Sequence, residues 1–118
     1  MLERTIRKTE MAVIGAMFIT QDLADKAKVL KILEPEDFRH TYTIAIFNAM
    51  KIVYEMGEGI DPITVLNVLG DSDMDGEEIE RFMSMCITEC PSSEHILSYA
   101  KNVKHNSKLE VEDGTDIH

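Results

Sequence analysis

The chain contains 118 residues, 44% of them hydrophobic, and its formal net charge is −10. This length fits one domain that can bury a core without help from a metal or a disulfide. The charge is uneven, since residues 1–59 carry a net −1 and residues 60–118 a net −9. The acidic second half would repel a phosphate backbone, so we expect no strong direct binding to nucleic acid.

Missing patterns exclude several functional classes. No apolar run approaches the roughly 20 residues of a membrane span, and the N-terminus lacks the apolar stretch of a signal peptide. Cys86 and Cys90 fit the free thiols of a cytoplasmic protein. The chain has no G-x-x-x-x-G-K-S/T, G-x-S-x-G or H-E-x-x-H motif. We therefore expect a cytoplasmic protein without membrane contact, catalytic residues or cofactor.

Apolar residues recur at every third or fourth position along most of the chain, as in amphipathic helices. Thr20 or Asp22 is a candidate cap for the second helix, and Asp61 followed by Pro62 is a strong helix start. The β-branched residues after Pro62 leave a strand as the competing interpretation there. The pattern predicts an all-α domain of five or six short helices, at about residues 3–19, 22–33, 41–56, 61–69, 77–86 and 93–106.

The domain organisation follows from this pattern. Residues 1–106 are expected to form one helical domain. Residues 107–118 are polar and acidic, and we expect them to form a disordered tail.

The segment from Asp71 to Gly76 matches the first half of a calcium-binding EF-hand loop. Position twelve of such a loop requires a Glu, but here it is Phe82, and Glu80 falls two residues short. The favoured interpretation is an acidic connecting loop in which Asp75 caps the next helix. A calcium-responsive module is the competing hypothesis, and a calcium-dependent rise in melting temperature would support it.

Cys86, Cys90 and His95 could suggest zinc, but structural zinc sites usually have closer Cys pairs and four ligands. We expect no metal site and a buried Cys86 thiol. Among the methionines, Met56 and Met74 lie near helix ends and are expected to be exposed. The pattern places four others in the core, Met11, Met17, Met50 and Met83.

Five short motifs, in this order, resemble the N-terminal domain of the DnaB-type bacterial replicative helicases. The resemblance covers residues 10–104, and no single motif is specific without the others. The matching residues are Glu10 and Gly15 in E-M-A-V-I-G, Phe38 in L-E-P-E-D-F, Ile46 with Phe47, Asp61, Thr64 and Val65 in G-I-D-P-I-T-V, and Tyr99 and Val103 in H-I-L-S-Y-A-K-N-V.

The sequence also departs from the family pattern. Thr43 stands where the family usually has His, and His95 where it usually has Asn. The acidic loop 73–76 and the segment 80–83 replace a Gly-Gly-x-x-Tyr-Leu stretch of the family. Residues 93–106 match the first helix of the family's helical hairpin, and we expect this form to lack the second helix and the ATPase domain. We expect either a segment of a helicase or a free-standing relative from a phage or mobile element.

The resemblance implies a non-catalytic interaction domain. In such helicases this domain contributes to a collar on the hexamer and docks primase, so primase and helicase subunits are the expected partners. In this short form we expect a monomer or a weak dimer. The alternative is a free-standing regulator or loader that uses the same fold to bind helicase or primase. Most motif residues are expected to be structural, with Glu10 and Asp61 in caps or salt bridges, Gly15 at a close helix contact, and Phe38 and Phe47 in the core.

Overall fold

A computed structural model describes residues 2–70 and 74–109. Within these ranges the chain forms six α-helices and no strand, which confirms the predicted all-α fold. Short 3₁₀ turns at Pro35–Asp37 and Ser93–His95 precede the third and sixth helices. The helices are α1 (Leu2–Ile19), α2 (Leu23–Ile32), α3 (Thr41–Glu55), α4 (Pro62–Leu69), α5 (Gly76–Glu89) and α6 (Ile96–Ser107).

Local signals placed most helix starts correctly. Asp22 caps α2 by accepting the backbone N–H groups of Ala24 and Asp25, and Pro62 begins a helix rather than the competing strand. The α5 helix extends three residues beyond its predicted end at Cys86. It ends before Pro91, because a proline restricts the preceding residue to extended backbone, and Cys90 is extended.

Helix α1 lies at the centre of the domain. It packs against α5 and α6 along its length and also contacts α3. Every residue from Glu10 to Met17 is buried, so α1 is enclosed on nearly all sides over two turns. Helix α2 packs on α6, while α4 packs on α3 and α5. No helix in the described part of the chain is long and apolar enough to cross a bilayer.

The methionines divide between the core and the surface. Met56 is 59% exposed, as expected for its place after α3. Met74 was predicted to be exposed, which is wrong: it is half-buried and packs against the core beside α4 and α5. The four methionines predicted in the core, Met11, Met17, Met50 and Met83, are all buried.

The C-terminal end of α6 is held by the segment before α3. The Arg39 guanidinium donates to the carbonyl oxygens of Asn106 and Leu109 at 2.8 and 2.7 Å, and Lys104 pairs with Asp37 at 3.0 Å. A cation at these carbonyls suits the negative end of the helix dipole. Residues 110–118, most of the expected disordered tail, lie outside the described residues.

Candidate interaction surface

The carboxylate of Glu10 joins α1 to the start of α3. Glu10 is only 2% exposed. It accepts hydrogen bonds from the Arg39 N–H at 2.9 Å and the Thr43 hydroxyl at 2.8 Å, with the His40 N–H at 3.4 Å. Burial raises the pKa of Glu10, while these hydrogen bonds and the Arg39 charge oppose the rise. We call these four residues the Glu10 junction, in which Glu10 of α1 accepts hydrogen bonds from residues at the start of α3.

His40 caps α3 with its imidazole ring. Its Nδ1 accepts the backbone N–H of Tyr42 at 3.2 Å, so this nitrogen must be unprotonated. The ring stacks on Phe82 of α5, with centroids 5.2 Å apart. Burial lowers the pKa of His40, and the nearby charge of Arg7 lowers it further. Both influences favour the neutral ring that the cap needs.

Gly15 sets the distance between α1 and α5. A Cβ at this position would collide with the backbone carbonyl of Cys86 and lie 3.0 Å from the Cβ of Cys90. The expected close helix contact is therefore present, and it is made against backbone. Cys90 reinforces the crossing, since its Sγ lies 3.6 Å from the carbonyl oxygen of Ala12.

Asp61 and Thr64 form a capping box at the start of α4. The Asp61 carboxylate accepts the Thr64 N–H at 2.9 Å, and the Thr64 hydroxyl oxygen accepts the Asp61 N–H at 3.0 Å. Beside this cap the Nζ of Lys26 lies 3.5 Å from the carbonyl oxygen of Ile60. Burial lowers the pKa of Lys26, and the charge of Asp61 opposes that shift.

The remaining motif residues lie mostly in the core. The Phe38 and Phe47 rings pack with centroids 4.8 Å apart. Tyr99 is half-buried and faces His95 at 6.2 Å between ring centroids. The motif residues thus do not converge on one cleft. Those that are buried in the apolar core are Phe38, Ile46, Phe47, Val65 and Val103.

The metal interpretations gain no support from the described residues. Among residues 2–70 and 74–109, no three His, Cys, Asp or Glu side chains could hold a metal ion together. Cys86 is buried as expected, and burial, followed by the charge of Glu89, raises the pKa of its thiol to about 12. Asp71 and Asp73 of the calcium hypothesis lie outside the described residues, while Asp75 caps α5 by accepting the Glu77 N–H at 2.9 Å.

Among the grooves formed by residues 2–70 and 74–109, two have both charged and apolar side chains in their walls. The first, which we call the Tyr99 groove, has a volume of about 390 Å³ and lies where α1 and α6 meet the turn after α5. Lys8, Thr9, Tyr99 and Asn102 contribute to its walls. The second, the α2–α3 groove, has a volume of about 410 Å³ and is bordered by lysines. Both are open to solvent and are available to a partner.

A comparison with known families identifies this arrangement of helices and motifs. The sequence profile of the DnaB-like helicase N terminal domain matches residues 3–105. The chain belongs to this family. It is 31% identical to the replicative DNA helicase DnaC of Bacillus subtilis (strain 168) and 35% identical to the replicative DNA helicase DnaB of Geobacillus stearothermophilus, in each case over 104 residues. These alignments cover 86% of this chain and 22% of each relative.

The fold of the DnaB-like domain agrees with a solved structure. The crystal structure of the N-terminal domain of DnaB helicase from Mycobacterium tuberculosis matches with a TM-score of 0.74 at 26% identity. The match covers 85% of this chain and 71% of that chain. The chain therefore corresponds to the N-terminal domain of a DnaB-like replicative helicase, as the motifs predicted.

Sequence reasoning missed several residues of this DnaB-like domain. Thr43 was noted only as a departure from the family pattern, yet its hydroxyl is a partner of Glu10. His40 was not singled out, because His is not among the preferred capping residues. Lys28 and Lys31 of the α2–α3 groove were not singled out. Their spacing of three positions, which places them on one face of α2, was the available signal.

Proposed function

We propose that this chain is the non-catalytic interaction domain of a replicative DNA helicase, and that it contributes to the hexamer collar and docks primase. The match of residues 3–105 to the DnaB-like helicase N terminal domain carries the proposal. Chromosome replication takes place in the bacterial cytoplasm, so we propose that location. The alignments cover only 22% of the length of each relative. In this proposal, ATP hydrolysis is carried out by other parts of a helicase, to which this chain does not align.

The contacts of the polar motif residues support a function for the surface of the domain. The Glu10 carboxylate is occupied by three backbone or hydroxyl donors, and Asp61 is occupied by the cap of α4. These groups hold helices in place and are not directed into a cleft. A domain whose motif residues stabilise a scaffold acts through the surface that the scaffold presents.

The Tyr99 groove is the first docking surface to test for primase. Tyr99 is a motif residue that lines a surface groove while its neighbour Val103 is buried. Lys8 and Glu89 offer charges of both signs at the rim. Such a combination of an aromatic wall and a polar rim is typical of protein interfaces.

The charge distribution supports protein partners over nucleic acid. The net charge of −10 opposes binding to a phosphate backbone. The exposed face of α5 adds to this repulsion, because Glu77, Glu78 and Glu80 are all exposed there. We propose that the domain makes no strong direct contact with DNA.

A calorimetric titration with the helicase-binding C-terminal domain of primase from the same cell tests the proposal. We expect saturable binding, and we expect Lys8→Glu in the Tyr99 groove to weaken it by about tenfold. Lys101→Glu, an equal charge change on an exposed part of α6, is the control and should bind like the wild type. Absence of binding by a chain that circular dichroism shows to be folded would overturn the docking proposal.

Light scattering tests the assembly proposal. We expect the isolated chain to be a monomer or a weak dimer, with the collar requiring the rest of a helicase. A tight dimer at micromolar concentration would contradict this expectation.

A further inference from the structure

The α2–α3 groove exists because its two helices pack on different neighbours. Helix α2 lies on α6, whereas α3 lies on α4 and on the 3₁₀ turn at Pro35–Asp37. The facing sides of α2 and α3 are left with a cavity of about 410 Å³ between them. Ala27 and Leu30 line it from α2, and Tyr54 lines it from α3. The ring of Tyr54 makes the groove receptive to apolar side chains, since this residue is 49% exposed.

The rim of the groove is positively charged in a chain that is strongly negative overall. Lys28 and Lys31 contribute from α2 and Lys51 from α3, against a single acidic residue, Glu55. The side-chain ammonium groups of Lys28 and Lys31 have no hydrogen-bond or ion-pair partner within residues 2–70 and 74–109. Lys51 pairs with Glu34 at 2.8 Å and still retains 22% exposure of its side chain.

We propose that the α2–α3 groove binds an acidic amphipathic helix of a partner protein. The apolar face of such a helix would cover Ala27 and the ring of Tyr54, and its carboxylates would pair with Lys28 and Lys31. Docking of an amphipathic helix into an apolar groove between two helices is a recurring mode of recognition. Complementary charge on the rims selects the partner and speeds its association.

The occupant is argued from this charge complementarity. The two lysines without a partner, Lys28 and Lys31, lie beside Ala27 and Tyr54 and suit a ligand that carries carboxylates beside apolar side chains. A nucleic acid strand would leave Ala27 without an apolar partner, and the net charge of −10 would repel it. The inference goes beyond the proposed function because the partner need not be primase.

Fluorescence anisotropy with the full chain tests the groove. The probe is a labelled peptide of about 16 residues with Leu on one helical face and Glu on the other, long enough for a marginal helix. We expect saturable binding that weakens as salt is added. The double variant Lys28→Glu and Lys31→Glu should weaken binding at least about tenfold. Tyr54→Ala should also weaken it while leaving its salt dependence unchanged.

A matched variant separates the groove from the overall charge. Lys101→Glu combined with Lys108→Glu changes the net charge by the same amount on exposed positions of α6 and its C-terminal cap. We expect this variant to bind the probe as the wild type does. Equal weakening in both double variants would overturn the proposal, as would equal binding of a probe in which Gln replaces every Glu. Thermal melting followed by circular dichroism verifies that each variant is folded.

Two further outcomes would also contradict the proposal that the α2–α3 groove binds an acidic helix. Failure of the folded wild type to bind the acidic probe would overturn the inference, and so would tighter binding of a single-stranded oligonucleotide than of the peptide. The primase titration is a separate measurement. Peptide binding without primase binding would support the groove proposal and overturn primase docking. Primase binding without peptide binding would support primase docking and overturn the groove proposal.

Discussion

Two carboxylate–threonine pairs in this domain illustrate how burial and chain separation change the role of the same chemistry. Glu10 and Thr43 lie 33 positions apart, are buried, and join α1 to α3. Asp61 and Thr64 lie three positions apart, and their hydrogen bonds are exposed at the start of α4. The first pair is a buried tertiary contact that water cannot readily replace. The second is a local cap that water can partly replace.

The largest expected effect is at the buried pair. Glu10→Ala removes the acceptor of the part-buried Arg39 N–H and leaves the Thr43 hydroxyl with the His40 carbonyl as its other acceptor at 2.9 Å. We expect a loss of about 3 kcal/mol in the free energy of unfolding, because the site is next to the core. Urea denaturation with the wild type as reference measures it. A loss below that of Asp61→Ala would contradict the assignment of Glu10 as the stronger contact.

A second prediction extends the comparison from polar contacts to backbone packing. Gly15→Ala places a methyl group against the backbone carbonyl of Cys86, which cannot move aside as a flexible side chain would. We expect it to lower the free energy of unfolding by about 2 kcal/mol. Gly59→Ala is the control, because nothing lies within 4 Å of its Cβ position. Similar losses in the two variants would show that the α1–α5 crossing is not tight.

The exposed pair should give a smaller effect. Asp61→Ala removes the acceptor of the Thr64 N–H, and we expect a loss of about 1 kcal/mol. Asp61→Asn retains a capping oxygen and should lose much less. The ratio of the losses measured by urea denaturation for Glu10→Ala and Asp61→Ala is the direct test of the comparison.

The smallest effect concerns pH. The pKa of His40 is lowered in the fold, so its contribution to stability is present above its ordinary pKa and is lost as pH falls. The pKa of Glu10 is raised, so its ionisation costs stability near neutral pH and this cost is relieved as pH falls. Between about pH 7.5 and about 5.5, we expect His40→Asn to lose less stability than the wild type and Glu10→Gln to lose more.

Urea midpoints at the two pH values provide this measurement. Asn is a suitable replacement at position 40 because it is a good helix cap without a charge in this range. Deviations of the same sign in His40→Asn and Glu10→Gln would contradict the assigned pKa directions.

The local features of the fold were accessible to sequence reasoning. The sequence Asp61-Pro62-x-Thr64 contains both halves of its capping box within one helical turn, so the start of α4 needed no knowledge of the rest of the chain. The end of α5 was placed too early, because the apolar pattern stops at Cys86 while the helix continues on its exposed side to the position set by Pro91. Such boundaries depend on the backbone rather than on hydrophobic periodicity.

The candidate site was less accessible for a different reason. The spacing of Lys28 and Lys31 could be read along α2, but Lys51 and Tyr54 come from another helix. Which helices leave a gap between them is decided by the packing of α2 on α6 and of α3 on α4. No pattern within either helix contains that information.

The all-α class and most helix starts could be predicted from the sequence, because caps and hydrophobic periodicity involve residues within a few positions of one another. The family of this DnaB-like domain could be predicted too, because the order of its motifs along the chain is visible without the structure. Three features could be seen only in the tertiary structure. Glu10 accepts hydrogen bonds at the start of α3, Gly15 packs against the carbonyl of Cys86, and α2 and α3 enclose a groove bordered by lysines. Those contacts join residues that lie far apart in the chain. Their geometry is set by how the helices pack, since each helix buries its apolar face against whichever neighbours the whole fold provides.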